Sequence, residues 1–165
     1  MKLRTLAMLI AVVVLLPLAA FAQTDTTGTM NVSANVTQSC SVTSGSLAFG
    51  TYDPLSNSDL DVGGNIWLSC TNLGPAVVKL DQGLSGTGTL DFPNRHMQNQ
   101  LNGGPALAYS LFSDIGRNND WEGQFGEDFT GSGDEDAIPV YGRIAQHQNV
   151  APGNFSDTVT ITVTY

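Results

Sequence analysis

The stretch Phe155-Ser156-Asp157-Thr158-Val159-Thr160-Ile161-Thr162-Val163-Thr164-Tyr165 decides how this chain is read. Phe155, Val159, Ile161, Val163 and Tyr165 fall on one side of it, and Thr158, Thr160, Thr162 and Thr164 on the other. Period-two alternation of β-branched and aromatic residues suits a half-buried strand. The sequence stops at Tyr165 with no turn and no returning partner, so this strand is expected to pair with something other than a later element. A second alternating stretch lies near the other end: Met30, Val32, Ala34 and Val36, interleaved with Asn31, Ser33, Asn35 and Thr37. Whether the two pair within one molecule or between neighbours is the functional question.

Between these ends, helix signals are scarce, because no apolar stripe recurs with a 3.6-residue period. Short alternating or apolar runs recur instead: Thr29–Val36, Cys40–Phe49, Asn65–Thr71, Ala76–Asp81, Ala106–Phe112, Ile138–Ile144 and Ser156–Thr164. Turn chemistry punctuates them at Asp53-Pro54, Gly63-Gly64, Gly74-Pro75, Gly103-Gly104-Pro105 and Ala151-Pro152-Gly153. Short strands at this spacing predict an all-β sandwich. Gln82–Leu101 and Gly116–Ala137 read as long loops.

Residues 1–22 read as an export signal. Lys2 and Arg4 supply the positive start, Leu6–Leu16 the apolar centre, and Ala20-Phe21-Ala22 the small-residue cleavage pattern. Its removal leaves four basic and fifteen acidic residues, a formal charge of −11. Such a chain repels nucleic acid and anionic headgroups, so no nucleic-acid partner is expected. Cys40 and Cys70 are the two cysteines. In an exported protein they read as a structural disulfide, with metal binding or free thiols as the alternatives. Neither has a CxxC partner or a neighbouring His. A bridge between them would stabilise the fold by roughly 3–4 kcal/mol in the chain-entropy picture.

Catalytic signals are weak, and the chain reads as a non-enzyme without cofactor or metal. His96 and His147 sit in polar surroundings without a nucleophile in a recognisable frame. Gly86-Thr87-Gly88 lacks the strand–loop–helix setting of a phosphate loop and reads as a hairpin or loop tip. The acidic run Asp134-Glu135-Asp136 offers the oxygen ligands a calcium ion takes, but not the spacing of an EF-hand, and reads as a solvated loop. Trp67, inside a predicted strand, and Trp121, in a loop, are expected to pack on the sandwich. Exposed, Trp121 would instead offer a stacking surface for a sugar ring.

The ordered pieces resemble the spore coat protein U domain family, which includes subunits of archaic chaperone–usher pili. They are Gly28-x-Met30-x-Val32-x-Ala34-x-Val36-x-x-x-Cys40, then Leu107-x-Tyr109-x-Leu111-Phe112-x-Asp114 and Trp121-x-Gly123. Ile138-Pro139-Val140-Tyr141-Gly142-Arg143-Ile144 follows, and then Pro152-Gly153-Asn154-Phe155-Ser156-Asp157-Thr158-Val159. The resemblance implies an incomplete immunoglobulin-like β-sandwich (residues 38–165) completed by a donor strand. The donor would be an N-terminal segment (23–37) acting through Met30, Val32, Ala34 and Val36. The acceptor groove would run along Val159, Ile161, Val163 and Tyr165. Partners implied are a periplasmic pilus chaperone, an outer-membrane usher and neighbouring subunits, with the product at the cell surface or secreted. The competing expectation is a self-contained secreted module, lectin-like through Trp121 or of spore-coat type, in which Met30–Val36 completes its own sheet.

Overall fold

The structure, a computed structural model, describes residues 23–88, 93–101, 103–121 and 125–165. The signal expected at 1–22 lies outside them, as does Gly123. Ten strands and no helix form among the described residues. They are β1 (Cys40–Ser46), β2 (Leu60–Cys70), β3 (Pro75–Leu80), β4 (Thr87–Gly88), β5 (Pro93–Asn99), β6 (Leu107–Phe112), β7 (Glu127–Thr130), β8 (Glu135–Ile144), β9 (Phe155–Ser156) and β10 (Ile161–Thr164). The larger sheet runs β1-β2-β8-β6-β5-β4, with β9 also on β5; the smaller runs β10-β3-β7. The strand pairs are antiparallel throughout.

The core lies between the sheets. Ile66 and Leu68 of β2, Val78 and Leu80 of β3, and Val140 and Ile144 of β8 are buried at alternate positions, as the pleat requires. At the full-burial value of roughly 1.5–3 kcal/mol per aliphatic side chain, these inward rows dominate the folding energy. Cys40 faces Cys70 in the β1–β2 register, and the two form the disulfide expected of them. It ties the first residue of β1 to the last of β2.

The chain divides after Asn35, and the ten strands all belong to the second unit. The strand expected over Thr29–Val36 is not formed: residues 23–39 have no regular secondary structure, and Met30, Val32 and Val36 are exposed. An alternating stretch becomes a strand only when an edge supplies its hydrogen-bond partners.

Four other expectations are corrected. Gly63-Gly64 is not a turn but lies inside β2. A Cβ on Gly64 would fall 2.4 Å from the Ser46 carbonyl oxygen, so glycine serves close approach at this point. Gln82–Leu101 contains β4 and β5, and Gly116–Ala137 contains β7 and the start of β8. β5 was missed because two of its inward positions are polar: Arg95 and Asn99 flank Met97, and both are buried and satisfied by hydrogen bonds. The terminal stretch is not one strand. Phe155–Ser156 pairs with β5 in the larger sheet, and Ile161–Thr164 pairs with β3 in the smaller. Trp67 is 40% exposed on the outward face of β2, whereas Trp121 is fully buried, its indole Nε1 donating to the Val78 carbonyl.

Candidate functional site

β1 is an end strand of the larger sheet and β10 of the smaller, and the two edges lie beside each other where Gly45 meets Ile161. β1 pairs β2 only from Cys70 back to Asn65, so the first half of β2 has β8 alone as partner. Beyond Ser46 the chain leaves the sheet and lies over its inner face. Two inward glycines make this possible. Cβ atoms on Gly64 and Gly142 would meet Leu47 methyls at 3.0 and 2.5 Å, and one on Gly142 would also meet Phe49. Leu47 and Phe49 thus fill a patch where β2 and β8 carry no side chains, and they form one wall of a groove.

The opposite wall is the terminal segment. Val159, Ile161 and Val163 point toward the core but are only half-buried, and Tyr165 is 58% exposed. Between the walls lies a cavity of about 1060 Å³ whose lining is mostly apolar and whose floor includes core residues Leu107, Val140 and Ile144. The walls come closest where β1 passes β10: a Cβ on Gly45 would lie 3.0 Å from the Ile161 Cδ1. Val159 and Ile161 line the cavity; Val163 packs on the core, and neither it nor Tyr165 lines the cavity.

Two carboxylates pin the crossover between β9 and β10. Asp157 accepts from the Tyr109 hydroxyl at 2.7 Å and from the Ser85 amide at 3.3 Å. Its carboxylate occupies the space a Cβ on Gly83 would need, and the φ of +80° there also favours glycine. Burial, reinforced by the Asp157 bond, pushes the Tyr109 phenol far above its usual value. Asp81 accepts from the amides of Thr160 and Gly83, both at 2.8 Å. Burial pushes its pKa up, but the bonds from Thr160 and Gly83 outweigh burial and hold it below the usual carboxylate range. The backbone follows suit, with Asp81 donating to the Thr160 carbonyl and Leu84 to that of Thr158.

Other singled-out residues are placed elsewhere. His96 is half-buried beside the Asn94 carbonyl, and exposed His147 lies 3.2 Å from the Asn57 side-chain oxygen. Glu135 and Asp136 open β8, where Asp136 accepts from the Ser132 hydroxyl and amide. No three metal-ligating side chains gather among the described residues. Fully buried Trp121 offers no face to a sugar. Sequence reasoning missed the Leu47–Phe49 wall and the roles of Tyr109 and Asp157. The one signal for the former is the pair of glycines at inward positions, which the turn reading of Gly64 concealed.

A two-sheet sandwich with an open apolar groove along its terminal strand defines the class: an immunoglobulin-like β-sandwich whose β1 and β10 edges flank the groove. The sequence matches the Spore Coat Protein U domain over residues 26–162, and the chain belongs to that family. Protein U of Myxococcus xanthus is 38% identical over 152 residues, covering 84% of each chain. A solved structure with a similar fold is the CsuC–CsuE chaperone–tip adhesion subunit pre-assembly complex from the archaic chaperone–usher Csu pili of Acinetobacter baumannii. The TM-score is 0.55 at 20% identity, over 79% of this chain and 40% of the length of that one. That likeness is one of fold.

Proposed function

We propose that this chain is a structural subunit of a surface fibre, exported through the periplasm and joined to its neighbours by donated strands. The observation that carries the reading is the groove: an apolar cavity of about 1060 Å³ beside an edge strand whose inward side chains are half covered. The exposed Met30–Val36 stretch has the complementary character. Added along the groove, it satisfies the unpaired backbone groups of an edge, and its alternate side chains point into the sandwich. Met30, Val32 and Val36 each gain roughly 1.5–3 kcal/mol on full burial, and Ala34 less. A one-residue slip turns Asn31, Ser33, Asn35 and Thr37 inward, so register is strongly specified. Before assembly, a periplasmic chaperone would lend the missing strand, and an outer-membrane usher would be the place of exchange. Adhesion or biofilm formation would then be the role of the finished fibre.

The test is complementation in trans. A chain lacking Met30–Val36 should form no polymers and should gain thermal stability when the segment is supplied as a peptide. In the intact chain, Val32→Asp should leave the single subunit folded, since Val32 is exposed there, yet abolish the polymers seen by size-exclusion chromatography and the stability they add. Wild-type polymer length in that variant overturns the donor assignment. The family description favours a second reading, a spore-coat-type structural protein whose segment fills its own groove. That reading requires the intact chain to stay monomeric at every concentration.

A further inference from the structure

A sandwich short of one strand has an apolar reason to shut: drawing its sheets together buries the exposed lining. A contact that resists this would have to bridge the two sheets, and one cluster of buried polar contacts does so. Arg95, on β5 of the larger sheet, is 2% exposed. Its Nε donates to the Asp81 carbonyl at 2.9 Å, and its Nη2 donates to the Leu80 carbonyl at 2.9 Å and the Trp121 carbonyl at 3.0 Å. Leu80 ends β3, and Asp81 follows it. Trp121 is held to the larger sheet by its amide, which donates to the Leu111 carbonyl of β6, and it reaches β3 through its indole and the Val78 carbonyl. The guanidinium therefore bolts the end of β3 to β5 and to the turn beside β6.

β3 is also the strand that carries β10, and the backbone just beyond it holds residues 158–160. The position of the terminal wall is thus inherited from β3, whose end is hydrogen-bonded to Arg95. The planar fork fixes direction as well as distance, which a flexible ammonium does not. Moving the sheets together would strip a buried guanidinium of its carbonyl partners, an outcome that burial makes costly. Burial pulls the Arg95 pKa down, while the carboxylates of Asp81, Asp120 and Asp157 favour the charged form.

We propose that Arg95 is a positioning residue that acts as a strut between the sheets, holding the groove open and ready for an incoming strand. This rests on the reading of the groove as a strand acceptor. A preformed groove removes the reorganisation that would otherwise oppose binding, so its loss weakens capture even where the fold survives.

The experiment uses the intact chain carrying Val32→Asp, so that its own segment does not compete. The probe is a fluorescent peptide of residues 26–37. Spin labels at Asn65→Cys and Thr162→Cys, outward positions on the two sheets, report their separation by pulsed electron resonance. With Arg95 present, the distance distribution should be narrow and unchanged by peptide. Arg95→Met should shorten or broaden it, weaken the peptide at least tenfold, and recover the narrow distance when peptide saturates. Arg95→Lys, which keeps the charge without the fork, should fall between them and serves if the Met variant does not fold. A folded Met variant, or failing that a Lys variant, with wild-type distance and affinity overturns the strut. Failure of the peptide to bind the Arg95 chain sinks the acceptor reading instead, and the distances still test the strut.

Discussion

β2 and the terminal segment carry the same period-two alternation, and their inward side chains meet different fates. Ile66, Leu68 and Cys70 of β2 are 3%, 0% and 3% exposed, whereas Val159, Ile161 and Val163 remain half-buried. Composition does not separate them, since both inward rows are apolar. Neighbours do: β2 lies between β1 and β8, while β10 pairs β3 on one side and, among the described residues, no strand on the other. Equal patterns thus yield unequal burial when the chain supplies two flanking strands to one and a single strand to the other. The half-covered row is where a further strand gains most.

The comparison can be broken most forcefully by truncation. Leu68→Ala should cost about 2–5 kcal/mol in denaturant unfolding, the range for a fully buried leucine. Ile161→Ala should cost about 1 kcal/mol in the chain alone, because half of that side chain is already wet. With the peptide of residues 26–37 bound, the Ile161→Ala cost should grow toward the Leu68 value. Equal costs for the two variants without peptide would erase the distinction between the rows.

A second variant fills the wall from behind. Gly142→Val would drive a side chain into Leu47 and Phe49 and push them into the groove. Overpacking of this kind should cost about 1–3 kcal/mol. It should weaken peptide capture by more than that stability loss explains, measured by titration of folded protein.

The smallest effect concerns the crossover. Asp81 is held below the usual carboxylate range, so it contributes stability that is fully present above its unfolded value and is lost as pH falls through its lower folded value. Unfolding free energies should therefore drop below about pH 4, by on the order of 1 kcal/mol or less for this group, since solvent screens it. Asp81→Asn keeps an acceptor for Thr160 and Gly83 and should flatten that part of the profile. An unchanged slope would place the acid sensitivity elsewhere.

Much of the fold was legible because β-branched alternation is local. The runs at Ala76–Asp81, Ala106–Phe112 and Ile138–Ile144 each fall within a residue or a few of a real strand. The cysteine pair was legible from its number in a chain that reads as exported, with no CxxC or neighbouring His to suggest a metal. β5 was not, since an inward arginine reads as a loop residue until three backbone carbonyls are known to surround it. Nor was the Leu47–Phe49 wall, which depends on glycines from two strands meeting in one layer. The terminal run reads as a single strand because its alternation is unbroken, and nothing in it announces that Asp157 will bond to Tyr109 and carry the chain between sheets.

The amino-acid order alone determined that this chain makes strands, bridges Cys40 to Cys70 and presents two alternating segments near its ends, because these properties follow from side-chain shape and nearest-neighbour pattern. Only the tertiary structure decided that Met30–Val36 forms no strand within the chain, that the terminal segment walls an open groove, and that Arg95 links the sheets on either side of it. Those outcomes depend on which edges find partners and which buried charges find carbonyls, and both are settled by residues far apart in the chain.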